Sequence, residues 1–232
     1  EDGETTARQR LSWVKPEREG GATAEEYAAA LRKYPNPQKV EAPVPLESLD
    51  PTQRAFADLV LSWATEAQRK RRQPEFCAVL LGTAGTGKTT TLQAVLERLR
   101  QTGFGKVLVA AYTGVASSNV GAGARTLHDL FQLSKVNAAS GELKPLDGED
   151  LEKLAKDLEG LRLLVIDEVS MVSRPMLADV DKRLQEWRAF TKHPAKKEAF
   201  GGVGVILAGD FGQLPPTKAE HLSLLCPHDL KG

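Results

Sequence analysis

Phe76-Cys77-Ala78-Val79-Leu80-Leu81, followed at once by Gly82-Thr83-Ala84-Gly85-Thr86-Gly87-Lys88-Thr89-Thr90, decides the fold of this 232-residue chain. The first six residues are nearly all apolar, as a strand covered on both faces must be. The next eight fit G-x-x-x-x-G-K-[ST], and Leu92, Val95, Leu96 and Leu99 then recur at helical spacing. A strand, a glycine-rich turn and a helix in that order form a phosphate cradle. The glycines let backbone amides curl around a polyphosphate, and the helix amino terminus adds its positive end. Lys88 reaches the β and γ phosphates and Thr89 offers its hydroxyl to magnesium. Gly82 to Thr90 is therefore the expected nucleotide-binding segment, with ATP and Mg2+ as the cofactors.

Working outward, three more short apolar runs read as strands: Lys106 to Tyr112, Leu161 to Asp167 and Val203 to Ala208. Strands alternating with helical patterns give the α/β class, with a mainly parallel sheet flanked by helices. In such a sheet ligands bind at the carboxyl ends of the strands. Asp167 ends its strand where a magnesium ligand is needed, and Glu168 follows it as the residue to polarise an attacking water. Upstream, Asp50 stands as an N-cap, Pro51 takes the first helical position, and Phe56, Leu59, Trp63 and Ala67 recur at helical spacing to about Arg71. Residues 1–45 are expected to be an arm or linker with one weak helix, and 46–232 the nucleotide-binding domain. The stretch from Phe131 to Glu149 is polar and turn-rich, an insertion between elements of the sheet.

Composition narrows the class further. With 41% apolar and 27% charged residues the chain is an ordinary globular protein. No run is apolar for long enough to span a bilayer, and the acidic amino terminus resembles neither a secretory signal nor a transit peptide. An intracellular protein is expected, nuclear or mitochondrial if eukaryotic, with no membrane partner. The 31 basic and 31 acidic side chains cancel, which weighs against affinity resting on phosphate contacts alone. Cys77 and Cys226 lack metal-ligand spacing and are expected to be structural.

Ile166-Asp167-Glu168-Val169-Ser170-Met171-Val172 resembles motif II of superfamily-one helicases. Phe200-Gly201-Gly202, then Val205 to Pro216 with Gly209-Asp210-Phe211-Gly212-Gln213-Leu214-Pro215-Pro216, resembles motif III of the petite-integration-frequency helicase family. The resemblance covers roughly residues 46 to 227. It implies a RecA-like motor domain of an ATP-dependent helicase moving 5′ to 3′ on single-stranded DNA, with duties in DNA repair, recombination and telomere maintenance. By the same resemblance Gln213 senses the γ phosphate. Ala110 to Ser117 is similar to motif Ia, and Gly123 to Phe131 to the segment after it, which together line the single-strand track. Thr113, Asn119, Thr126 and His128 are the implied DNA contacts, all able to hydrogen-bond a backbone without reading sequence. Phe131 is either a base-stacking residue or core. Gln53 carries two readings, a D-x-x-Q capping box with Asp50 and an adenine contact implied by the helicase Q motif. Residues 132–149 are either a duplex-splitting wedge or an ordinary surface loop.

Two other classes compete with the motor: a binding module that holds a partner or nucleic acid without turnover, and a nucleotide kinase. Asp167-Glu168 and the Gln213 motif have no reason to occur in the kinase. A superfamily-one motor has a second RecA-like domain that supplies arginine fingers, and Thr217 to Gly232 contains no arginine. This chain by itself is therefore expected to be a monomer that binds nucleotide weakly, hydrolyses it negligibly and unwinds nothing.

Overall fold

Five parallel strands at the centre of the molecule all point their carboxyl ends to one edge. The computed structural model describes residues 44–70, 73–113, 125–137 and 142–216, all within the unit Pro43–Gly232. Their elements run α1 (Pro51–Arg69), β1 (Cys77–Leu81), α2 (Lys88–Gln101), β2 (Lys106–Ala111), β3 (Arg125–Thr126), α3 (Leu127–Leu130), α4 (Gly148–Leu158), β4 (Leu161–Asp167), α5 (Arg174–Phe190) and β5 (Gly204–Gly209). The sheet order is β1-β5-β4-β2-β3. Each of the four strands read from the sequence is present, with ends shifted by at most one residue.

The order matters because β5 inserts between the strand before the glycine-rich turn and the strand ending in Asp167. Leu81 lies opposite Gly209, and Ala111 opposite Asp167, so the four strand ends finish nearly level. Ile166, Leu164, Val205 and Leu207 pack on one face of the sheet against α4 and α5. Leu163, Val165, Ile206 and Ala208 pack on the other against α1 and α2. This two-faced burial is what continuous apolar strands require.

The helix α1 closes the second face. Its Asp50 side chain accepts the amides of Thr52 and Gln53, and the Gln53 side chain returns to the Asp50 amide at 3.2 Å, completing the capping box. Trp63 stacks on Phe76 at 4.4 Å and donates its indole N–H to Pro74 O. Gly204 in β5 is small for this reason: a Cβ there would lie 2.5 Å from the Trp63 ring. Arg162 fastens the far end of this face, donating to Gln73 Oε1, Phe104 O and Ala67 O.

The structure decides the open reading of Phe131, bears on the insert and corrects the reading of Cys77. Phe131 is completely buried between α3 and the sheet, so it cannot stack a base. The insert is more ordered than a surface loop: Leu133 and Leu146 are buried, Val136 pairs with Leu143, and Gly148 and Glu149 already belong to α4. Cys77 is an exposed free thiol on β1 rather than a packed core residue. Residues 1–43, 114–124 and 217–232 fall outside the described residues, and with them the arm, Asn119 and Cys226. No helix among the described residues is long and apolar enough to cross a membrane.

Candidate nucleotide and nucleic-acid site

The glycine-rich turn leaves β1 with its first amide, that of Gly82, bonded to Gly209 O at the end of β5. Gly85 and Gly87 then take φ of +80° and +77°, a left-handed conformation that a Cβ disfavours. Gly87 is also the N-cap of α2, so the turn feeds directly into a helix amino terminus with unpaired amides. Thr83, Ala84, Gly85, Thr86 and Thr89 are exposed, and Gly82, Lys88 and Thr90 half-buried. The Lys88 ammonium sits over its own loop, donating to Gly82 O at 2.5 Å and Thr83 O at 2.9 Å. It occupies the concavity in which a polyphosphate would lie.

Of the two readings of Gln53, the structure bears out the capping box, and both ends of the amide are used. Its Oε1 closes the capping box, while its Nε2 donates to Thr86 O at 3.1 Å. A Cβ on Gly87 would come within 2.3 Å of that nitrogen. The first helix is thereby tied to the phosphate turn, next to where a base would follow its phosphates. Gln53→Ala removes both bonds. It is expected to weaken ATP binding by about three- to tenfold, the worth of one or two neutral hydrogen bonds. Titration with ATP and a second triphosphate checks this; unchanged selectivity would leave Gln53 as a cap alone.

Asp167 and Glu168 end β4 beside this turn. Burial pushes the Asp167 carboxyl above its ordinary range, opposed by the Glu168 amide and by the charge of Lys88. Glu168 adopts φ 54° and ψ 43°, left-handed and costly for a residue with a side chain. The close pass of β5 holds it there. A Cβ on Gly209 would sit 2.9 Å from the Val169 amide nitrogen, so only glycine lets the two backbones meet. Thr89 and Asp167 are the residues that could hold magnesium, offering a hydroxyl and a carboxylate oxygen of the hard type that ion takes. No group of three or more metal-ligating side chains occurs among the described residues.

Gln213 lies in the turn after β5, its amide bonded to Asp210 O while Asp210 Oδ1 accepts the Gly212 amide. An open cleft of about 580 Å³ is lined by Glu168, Ser170 and Met171 on one side and Gly212 to Pro215 on the other. Glu168 and Gln213 thus face one space.

Three of the DNA candidates, Thr113, Thr126 and His128, end or follow the next two strands of the same edge. Thr113, two residues beyond β2, donates its hydroxyl to Glu168 Oε2 at 2.9 Å. Thr126 caps α3 by accepting the Asp129 amide, and His128 is exposed with its ring edge-on to Tyr112 at 5.8 Å. The register of Ala111 with Thr126 sets these groups beside Thr113. Two features escaped the sequence reading, the Thr113–Glu168 bond and the buried Arg183 of α5, which donates to Phe131 O beneath α3.

Comparison with known proteins places the chain among helicases. The chain is 35% identical over 144 residues to the ATP-dependent DNA helicase RRM3 of Saccharomyces cerevisiae, covering 60% of this chain and 18% of that protein. It is 33% identical over 146 residues to the ATP-dependent DNA helicase PIF1 of Mus musculus, covering 62% and 20%. Among solved structures, Bacteroides Pif1 bound to single-stranded DNA matches with a TM-score of 0.50 at 30% identity, over 73% of this chain and 33% of that one. Pif1 of Candida albicans matches with a TM-score of 0.52 at 26% identity, over 75% and 35%. The chain thus spans about a fifth of these curated relatives and about a third of the solved chains. The model of the PIF1-like helicase matches residues 51–223, three-quarters of the sequence and every element from α1 to the Gln213 turn, and the chain belongs to that family.

Proposed function

We propose that this chain is the ATP- and single-strand-binding half of a 5′ to 3′ DNA helicase motor. One observation carries the proposal: a single sheet edge presents the phosphate turn, the Asp167-Glu168 pair and the Gln213 turn, and, one and two strands further, Thr113, Thr126 and His128. Nucleotide and strand would then share an edge that couples hydrolysis to movement.

In this reading the amides of Gly82 to Thr90 and the Lys88 ammonium hold the β and γ phosphates, and Lys88 leaves its loop carbonyls to do so. Gln53 meets the adenine side. Thr89 and Asp167 would hold magnesium, which when bound neutralises charge between the phosphates. Glu168 orients the attacking water, and Gln213 faces the γ phosphate across the shared cleft. Thr113, Thr126, His128 and Asn119 contact the strand. The opposite wall, with the arginines that stabilise the transition state, would come from a second RecA-like domain, so the 232 residues alone hydrolyse ATP negligibly. A crystal structure of the Bacteroides relative holds both ADP-AlF3 and single-stranded DNA, with a TM-score of 0.51 to this chain, which supports joint occupancy. Duties in repair, recombination and telomere maintenance belong to the same family likeness, while the expected monomeric state stands beside a related structure of two coordinating Pif1 helicases at forked DNA. Residues 132–149, which include the Val136–Leu143 bridge, would supply the duplex-splitting wedge if the motor carries one there.

The deciding experiment is ATP hydrolysis by the full-length protein with and without single-stranded DNA. A motor hydrolyses ATP severalfold faster when the strand is present. Nucleotide binding with no hydrolysis in either condition would make this a binding module instead.

A further inference from the structure

We propose that Thr113 restrains Glu168 until single-stranded DNA arrives: the strand takes the Thr113 hydroxyl, and the freed Glu168 carboxylate turns to the water that attacks ATP. This inference rests on the motor reading and adds its regulation.

The register of the sheet makes the contact. Ala111 of β2 lies opposite Asp167 of β4, so Thr113 and Glu168 emerge side by side from neighbouring strand ends. Their bond is 2.9 Å from Thr113 Oγ1 to Glu168 Oε2. A threonine hydroxyl has one proton to donate, and both the carboxylate and a DNA phosphate are acceptors only. The two therefore compete for the same proton. A strand phosphate that engages Thr113 as a donor must take it from Glu168.

The backbone of Glu168 has little room to move in response. Its amide is bonded to Asp167 Oδ1 at 2.8 Å, its carbonyl accepts the Met171 amide, and the next peptide lies against Gly209. What remains free is rotation of the side chain, between Thr113 on one side and the cleft shared with Gln213 on the other. A rigid backbone with two competing partners for one carboxylate is a two-position element, which is what coupling between sites requires. Thr126 and His128 flank Thr113 on the outer side of β2, so a strand following these residues passes the hydroxyl. Thr113 is thus a positioning residue, acting on water only through Glu168.

A hydrogen bond to a charged group shifts an equilibrium by roughly ten- to a hundredfold, enough to keep hydrolysis low in the absence of DNA. The test measures kcat and KM for ATP in the full-length protein, with no DNA and with saturating oligothymidine, for wild type, Thr113→Val and Thr113→Ser. Valine keeps the shape and removes the hydroxyl. It is expected to raise the DNA-free kcat by about ten- to a hundredfold and shrink the stimulation ratio accordingly, with KM for ATP within about twofold, because the hydroxyl bonds Glu168 and not the nucleotide. Thr113→Ser, which restores a hydroxyl, brings the DNA-free rate back down toward wild type. A valine variant with an unchanged or lower DNA-free kcat overturns the proposal. So does loss of both rates that serine fails to rescue, which would mark a structural residue. Absence of any stimulation in the wild type refutes the motor reading itself.

Discussion

Glu168→Gln in the full-length protein is expected to lower kcat for ATP hydrolysis by about two to three orders of magnitude, with KM for ATP changed by less than about fivefold. Glutamine has the volume of glutamate but lacks the charge that polarises water. The groups that would hold the nucleotide, Gly82 to Thr90 with Lys88, and the Asp167 carboxylate are on other strand ends or other residues and are untouched. Loss in kcat without loss in binding is the pattern of an interaction made only in the transition state. The backbone offers an internal control. Glu168 sits at φ 54° and ψ 43°, where a side chain costs about 1–2 kcal/mol relative to glycine. Glu168→Gly is therefore expected to be at least as stable as the wild type while being as inactive as the glutamine variant. A residue kept at a strained position against its own stability is kept for function. Steady-state kinetics and thermal unfolding check the two halves. Near-wild-type turnover by Glu168→Gln would remove Glu168 from the hydrolytic step.

How much of this was readable beforehand follows from where each constraint originates. A phosphate ligand dictates residue types at fixed spacing, so Gly82 to Thr89 announces itself, and so does the Asp167-Glu168 pair at the end of an apolar strand. β4 and β5 are legible because burial on both faces leaves few polar positions, whereas β1, expected to be covered on both faces, lies at the edge of the sheet and leaves Cys77, Val79 and Leu81 exposed. The helix α4 was hidden in the polar stretch: Glu149 and Asp150 in its first turn are ordinary helix-start residues, yet only Leu154 and Leu158 are fully buried. Ser173-Arg174-Pro175 likewise signals the start of α5, and the Ser173 side chain does cap it through the Met176 amide. The partnership of Thr113 with Glu168 lies beyond any local pattern. It depends on β2 pairing with β4 in a particular register, and residues 55 apart in sequence carry no periodic trace of that.

Arg183 is the extreme case, because an arginine on an amphipathic helix reads as a solvated charge. In the structure its side chain is completely buried. Nε donates to Phe131 O at 3.0 Å and Nη1 to Glu186 Oε2 at 2.7 Å, with Nη2 reaching Gln132 O at 3.5 Å. Those two carbonyls lie where α3 ends and Gln132 turns left-handed at φ 51°; Gln132 O also accepts the Lys135 amide at 3.2 Å, whereas Arg183 serves Phe131 O inside the protein. Removing the guanidinium strands the Phe131 carbonyl and leaves Glu186 without this cation. Arg183→Met is expected to cost about 1–3 kcal/mol of folding free energy, the range for leaving one buried acceptor unsatisfied, because the Glu186 carboxylate keeps partial access to water. Arg183→Lys keeps the charge but cannot reach two carbonyls and a carboxylate from one nitrogen, and should fall between. The effect extends to function, since α3 carries His128 and is capped by Thr126. Arg183→Met is therefore expected to weaken single-strand binding more than nucleotide binding, whose phosphate turn belongs to β1 and α2 on the other side of the sheet. Denaturant unfolding read alongside strand and nucleotide titrations separates the outcomes. A loss below about 1 kcal/mol would mean that water or a rearranged turn satisfies the Phe131 carbonyl, and that the buried arginine is not what holds α3 in place.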